Sequence, residues 1–255
     1  MQKKVLFLFF VLLNHAHFSF SQKTDSTKNI SHFSGTVSVT NNGISLVPNF
    51  SLGKPAAIFI TSLGKNKFSI DPELRFSLAG KPWTFLFWAR YKLVTTDKFR
   101  MNIGTHLGLN FKTASMPINN DTNEVTTVRR YLAAEFVPNY FIAKNVSVGI
   151  YYLYSRGIDP ATVKNTNFIT INTSISNIRI TNQFLIRFTP QFYYLKQDKR
   201  DGFYFTSSLN LAKRNFPLSV SSIINKSIQS DIAGDKNFNW NLSLVYSFNK
   251  NYVRL

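Results

Sequence analysis

The sequence predicts an all-β protein: a single antiparallel up-and-down transmembrane β-barrel of twelve strands, formed after a signal peptide is cleaved. Three observations carry this reading. Apolar and polar residues alternate with period two over most of the chain. The alternating segments reach the 9–11 residues that a tilted strand needs to cross a bilayer. The breaks between them alternate in length, as the short turns and longer loops of outer-membrane barrels do.

The chain has 255 residues. Lys3 and Lys4 precede an apolar run from Val5 to Leu13, and small residues at Ser19 and Ser21 fit cleavage before Gln22. Residues 1–21 therefore read as a signal peptide, because the apolar run is too short to span a membrane. Residues 22–32 are polar and are expected to form a flexible lead-in, leaving 33–255 for the barrel. The first stretch, Phe33 to Pro48, carries Asn41-Asn42-Gly43 in its middle and reads as one bulged strand or as a hairpin. Pro48 to Pro55 suits a central strand poorly, since proline cannot donate to the ladder. It is expected as a first outer loop or as a segment folded into the lumen.

Further strands are expected near 56–63, 67–78, 83–95, 98–112, 126–142, 145–157, 166–176, 178–196, 202–213, 216–228 and 237–248. The clearest alternation sets Phe68, Ile70, Pro72, Leu74, Phe76 and Leu78 against Ser69, Asp71, Glu73, Arg75 and Ser77. Residues 99–112 and 238–248 repeat it with one exception each, Thr105 and Val245. Pro72, Pro138 and Pro190 lie on apolar phases, where bulges are expected. A soluble sandwich also alternates, but its core would have trouble packing so many large rings, whereas a lipid-facing surface has no such limit. The long breaks predicted at 113–125, 157–165 and 229–236, with one of middle length at 197–201, face the short ones at 96–97, 143–144, 176–177 and 213–215. That places the C-terminus in the periplasm.

Composition narrows the function. There is no cysteine, so disulfide and thiol chemistry are absent. Thirty Lys and Arg face twelve Asp and Glu, a formal charge of +18 that includes Lys3 and Lys4. The basic residues are scattered, and the chain is exported, so nucleic acid is not an expected partner. Outer-membrane lipid and lipopolysaccharide suit the distribution better.

The polar phases collect candidate lumen-lining charges: Asp71, Glu73, Arg75, Arg90, Lys92, Arg100, His106, Arg129, Glu135, Arg179 and Arg187. Arginines outnumber carboxylates there, so a water-filled lumen would favour anions. The competing reading is that these chains pair across the lumen and close it. Trp83, Tyr140, Tyr154, Tyr194, Trp240 and Tyr246 are candidates for the interfacial girdles, while Trp88 falls on the polar phase. No catalytic, cofactor or metal site is expected. His32 and Ser34 have the His-x-Ser spacing of outer-membrane phospholipases, but no partner is assignable. His106 is followed by Gly108, where a serine would be needed.

The signal ending Ser-Phe-Ser-Gln, the phrase PNFSLGKPA (Pro48 to Ala56) and the phrase GKPWTFLFWARYKL (Gly80 to Leu93) resemble uncharacterised outer-membrane barrels of Bacteroidota, over nearly the whole mature chain. The aromatics Trp240, Tyr246 and Phe248 resemble the signal read by the barrel-assembly machinery, although the chain continues to Leu255. The resemblance implies an integral outer-membrane barrel and no established substrate. A porin-like passive channel for small solutes, with a lean toward anions, is the first functional expectation. A non-conducting barrel within an envelope complex is the second, and a lipid-modifying barrel enzyme the third.

Overall fold

A computed structural model of the chain describes residues 30–118, 121–160 and 162–253. The expected signal peptide and the lead-in up to residue 29 lie outside the described residues. Twelve strands follow in chain order: β1 (Ile30–Thr40), β2 (Ala56–Lys65), β3 (Phe68–Ser77), β4 (Pro82–Thr95), β5 (Phe99–Ile118), β6 (Asp121–Ala143), β7 (Val146–Gly157), β8 (Asn165–Arg179), β9 (Phe184–Gln197), β10 (Arg200–Lys213), β11 (Leu218–Ser230) and β12 (Phe238–Val253). Each pairs antiparallel with the next, and β12 returns to β1 from Ile30↔Val253 to Thr40↔Ser243. Closure leaves no sheet edge, the condition a β-structure must meet in hydrocarbon, where an unpaired backbone group has no water to bond.

The period-two pattern is realised as an inside and an outside. On β5, Ile103 and Leu107 are exposed while His106 and Asn110 are buried; on β12, Trp240, Leu242 and Leu244 are exposed while Asn241 is buried. Large apolar side chains thus cover the outer surface, and hydroxyl, amide and charged groups turn inward. This is the reverse of a water-soluble fold and marks a membrane-spanning wall.

The two ends of the barrel differ. One carries the connections 66–67, 96–98, 144–145, 180–183 and 214–217, all short, together with the first residue of β1 and the end of β12. The other carries 41–55, 78–81, 119–120, 158–164, 198–199 and 231–237. We refer to these as the short-turn and long-loop ends.

Several boundaries depart from the sequence reading. β1 begins at Ile30, inside the expected lead-in, because Ser31 and His32 pair with Lys65 and Gly64 of β2. It ends at Thr40, so the first stretch is one strand followed by a loop. Most of the longest expected loop, 113–125, is instead strand: β5 and β6 stay in register out to Ile118↔Asp121, although Pro117, Asp121 and Asn123 are residues that strands usually avoid. The expected break at 176–177 is a bulge. Asn177 adopts φ 57°, the register shifts between Ile175 and Ile178, and the turn comes at 180–183. The expected strand 178–196 is thereby divided between β8 and β9. The break at 197–201 is a tight turn with Asp198 at φ 52°. Nor do the prolines shift register where they stand. Pairing lapses beside each of them, between Ile60↔Glu73 and Leu63↔Ile70 for Pro72, with alignment unchanged on either side. A missing N–H removes a bond without adding a residue.

Candidate functional site

The lumen holds a belt of charge centred on Arg90. Register aligns Arg90 (β4), Gly104 (β5) and Glu135 (β6) in one row. The arginine passes over the glycine to reach Glu135: its Nε donates to Oε1 at 2.7 Å, and its Nη1 donates to Asp71 Oδ2 at 3.0 Å. A Cβ at Gly104 would lie 2.8 Å from Glu135 Oε1 and 3.0 Å from Arg90 Cγ, so the row needs glycine there. Tyr151 Oη donates to Glu135 Oε2 at 3.0 Å. On the other side, Ser62 and Ser69 donate to Asp71 at 2.6 and 3.1 Å, and His32 Nε2 lies 2.9 Å from Ser62 Oγ. One connected network therefore joins β1, β2, β3, β4, β6 and β7. Arg75 pairs with Glu73 on its own strand. The Arg90 guanidinium lies 4.2 Å from the Trp88 ring, which tilts against His106 at 4.1 Å between centroids.

This belt contains three carboxylates and two guanidinium groups, and every carboxylate in it is bonded. The positive lumen expected from counting arginines is therefore not found at mid-height. The reason is the pairing itself: buried carboxylates persist only where cations and hydroxyls replace their water.

The first loop, 41–55, folds into the barrel. Its residues Ile44, Leu46, Val47, Phe50 and Leu52 are too apolar to stand in water, and the lumen offers them aromatic surface. Gly43 closes the loop neck: its N–H donates to Lys54 O at 2.8 Å, and its carbonyl accepts from Leu52 N at 2.9 Å. At the tip, Pro48–Phe50 forms a single 3-10 turn. Trp83 Nε1 donates to Phe50 O at 2.7 Å, and the Phe50 ring meets Tyr131 edge-on at 4.9 Å. Across the lumen, Tyr193 Oη lies 3.1 Å from Leu46 O, and Gln197 Nε2 donates to Asn49 Oδ1 at 3.2 Å. The loop is thus anchored to β4, β6 and β9, well apart around the barrel.

A cavity of about 460 Å³ remains between this loop and the wall. Leu46, Val47 and Phe50 bound it on the loop side. Arg75, Trp88, Arg90 and His106 bound it on the charged wall, and Tyr131, Tyr151 and Phe168 beyond them. The opposite wall is apolar for a lumen: Phe168, Tyr193, Leu195, Tyr204 and Ile232 form a buried cluster, with Tyr193 and Tyr204 stacked at 4.5 Å and 7°.

The residues singled out from sequence distribute as follows. Asp71, Glu73, Arg75, Arg90, His106 and Glu135 come together around the belt. Lys92, Arg100 and Arg187 share the inward phase nearer the short-turn end and are exposed; the Arg100 guanidinium lies 4.6 Å from the Phe141 ring. Arg129 lies level with Asn110, toward the long-loop end. Arg179 lies beyond the β8 bulge, exposed at the short-turn rim and apart from the belt.

On the outer phase, Tyr154, Tyr194 and Trp240 lie toward the long-loop end, and Tyr140 and Tyr246 toward the short-turn end. Trp83 is a correction. It is 2 % exposed and covered by the first loop rather than by lipid. The register shift opposite Arg75/Phe76 inserts an extra residue in β4, so Trp83 turns inward beside Thr84. His32 meets Ser62, not Ser34. Tyr131, Tyr151 and Phe168, which line the cavity, and Tyr193 and Tyr204, which pack in the cluster with Phe168, are not among the residues singled out from sequence; the signal that marks them is aromatic rings on otherwise polar phases.

At the long-loop rim, Asp159 accepts from Arg130 Nη2 at 2.6 Å and from the Arg130 backbone N–H at 2.7 Å. These bonds hold its carboxyl below the usual aspartate range. They tie the 158–164 loop to β6.

No protein-family model and no curated protein matches the sequence. Solved structures do match. The chain is similar to the KdgM porin in complex with disordered oligogalacturonate, at 11% identity over 85% of this chain and 99% of that one, with a TM-score of 0.53. It is also similar to KdgM porin alone, at 12% identity over 84% and 99%, with a TM-score of 0.52. At such identities the likeness is one of fold, and by its closed sheet and apolar outer surface this chain is a membrane-spanning β-barrel.

Proposed function

We propose that the protein is a passive outer-membrane channel for small solutes, narrowed by its own first loop. The observation that carries this reading is the placement of residues 41–55. A loop that crosses the lumen on three anchors, and leaves a cavity of about 460 Å³ beside a hydrogen-bonding wall, restricts passage without filling the interior. A barrel serving only as a scaffold has no need of such a lining. In this reading the short-turn end is periplasmic, residues 1–21 are a cleaved signal peptide, and the sequence phrases point to a Bacteroidota source.

The belt at mid-height is charge-compensated, so any preference for anions is assigned to Lys92, Arg100 and Arg187 on the short-turn side. Fields from uncompensated charges in a low-dielectric passage concentrate counter-ions there. A non-conducting accessory barrel is the second reading, favoured by the apolar cluster of Phe168, Tyr193, Leu195 and Tyr204, which fills part of one wall. Catalysis gains no support from His32: Ser62 directs its hydroxyl proton toward Asp71, with the histidine on the far side. A lipase-type relay would need the serine proton directed at the imidazole.

Swelling of liposomes containing the refolded mature chain tests the proposal. Entry of small uncharged and anionic solutes, with larger ones excluded, is expected. Exclusion of every solute by folded, inserted protein would overturn it.

A further inference from the structure

We infer that the rim at the short-turn end is a docking surface for anionic phospholipid headgroups. The turns of this end present Lys65, Lys67, Lys98, Lys144, Lys213 and Arg214, all exposed, against a single acid, Asp97. Among the described residues none of these six enters an ion pair, whereas at the long-loop end Lys81 pairs with Glu124 and Arg130 with Asp159. The acids are correspondingly gathered at that other end, where Glu124, Asp159, Asp198, Asp201, Asp231 and Asp235 stand. Cations stand at both ends, Lys54, Lys164, Lys199 and Lys236 among those of the long-loop end, so it is the scarcity of acids that makes the short-turn rim net positive.

Depth selects lipid over a soluble polyanion. The connections of this end are too short to project far, and the cations sit beside outward apolar residues. Leu63 is two residues from Lys65, Phe68 is next to Lys67, Ile142 is two from Lys144, and Phe216 is two from Arg214; each of these apolar side chains is about half exposed or more. At roughly 3.3 Å per residue, two residues separate charge from hydrocarbon surface by about 7 Å. That lies within the ~8 Å Debye length at physiological ionic strength, where a lipid phosphate attracts a lysine with little screening. The stems of Lys65 and Lys144 can lie along apolar surface while their ammonium groups reach the headgroups. The facing leaflet is thereby enriched in anionic lipid around the barrel.

The test uses the refolded mature chain in phosphatidylcholine vesicles, with spin-labelled phosphatidylglycerol or phosphatidylcholine as the probe. The fraction of motionally restricted label reports lipid at the protein surface. Preference for phosphatidylglycerol by about fivefold or more is expected, the factor that one surface cation supplies. It should vanish in 1 M salt, and fall in a variant with these six cations changed to glutamine, Arg179 remaining at the rim. It should survive Lys54, Lys164, Lys199 and Lys236 changed to glutamine at the long-loop end. Should the six-site variant not fold, the salt series on the unaltered chain decides. Equal restriction of the two labels, insensitivity to salt, or loss of preference only in the long-loop variant would overturn the inference. So would retention of soluble dextran sulfate by the barrel without phosphatidylglycerol preference.

Discussion

Replacing Trp83 should open the lumen. The side chain is 2 % exposed, its indole N–H bonds the Phe50 carbonyl at 2.7 Å, and the Arg75 guanidinium lies 5.1 Å from its ring. Trp83→Phe keeps most of the ring but removes the donor, leaving the Phe50 carbonyl without its partner. An unsatisfied buried acceptor costs about 1–3 kcal/mol, which shifts the docked-to-released ratio of the loop by roughly 5- to 150-fold. Trp83→Ala adds the loss of a buried aromatic, about 3–5 kcal/mol in all. Of the remaining anchors, Leu46 O at Tyr193 and Asn49 at Gln197 each supply an ordinary hydrogen bond of about 1 kcal/mol, and the edge-on contact of Phe50 with Tyr131 adds about 0.5–1.5 kcal/mol. Single-channel recordings should therefore show larger or noisier currents for Trp83→Phe and a steadily larger conductance for Trp83→Ala. A reporter thiol introduced by Ser51→Cys should react faster with a bulky thiol reagent in both backgrounds. Folded Trp83→Ala with unchanged conductance and an unchanged rate of labelling at position 51 would refute the account of the loop.

Other expectations follow from the same geometry. Arg90→Met leaves Asp71 and Glu135 buried without their cation and should lower stability in urea by about 3 kcal/mol, the low end of the usual range because lumen water reaches the arginine; combining Arg90→Met with Glu135→Gln should recover part of it. Gly104→Val places side-chain atoms where Arg90 and Glu135 cross, so it should impair folding, read as loss of heat-modifiable migration, while Gly80→Ala, where nothing lies within 4 Å, should leave that migration intact, apart from the strain of φ +78°. Asp159 has a lowered carboxyl pKa, so its tether to Arg130 is fully present above the ordinary aspartate range and is lost as pH falls through the depressed value. Hydrogen exchange in 158–164 should be slow at pH 7 relative to Asp159→Asn, and the difference should close only in strong acid. Cysteines placed at 119–120 should be labelled from outside intact cells, and one introduced by Lys144→Cys should not; the opposite pattern contradicts the topology.

Most of the barrel is legible because the membrane imposes a rule that acts residue by residue. Outward positions must be apolar and inward positions polar, so Phe68 to Leu78 or Phe238 to Phe248 reveal both strand and orientation without knowledge of neighbours. Turn chemistry is less legible, because the same signal serves two structures. Asn177 with positive φ reads as a turn but makes a bulge, and Asp198 with Lys199 makes a turn tighter than its polar run suggests. Trp83 escapes the alternation rule for a related reason: a one-residue bulge reverses the face of everything beyond it, and no local feature of Pro82-Trp83-Thr84 announces it.

The site is half legible. Asp71, Arg90 and Glu135 can be assigned to the lumen by phase, but their pairing depends on register across four strands, with Gly104 making the space. The first loop carries a readable clue in its composition. Ile44, Leu46, Val47 and Phe50 are too apolar for an aqueous loop, and tyrosines on the polar phases of β6, β7, β9 and β10 provide the surface that receives them. Neither observation shows the other's partner until the barrel is closed.

Planar-bilayer conductance of the refolded mature chain under a salt gradient separates a channel constricted by its own first loop from a sealed barrel. Steady single-channel steps with a modest preference for anions are expected, the preference falling when Lys92, Arg100 and Arg187 are changed to glutamine and the step size rising when residues 44–52 are replaced by a short Gly-Ser link. Absence of steps from folded, inserted protein, with or without that loop, would contradict the channel.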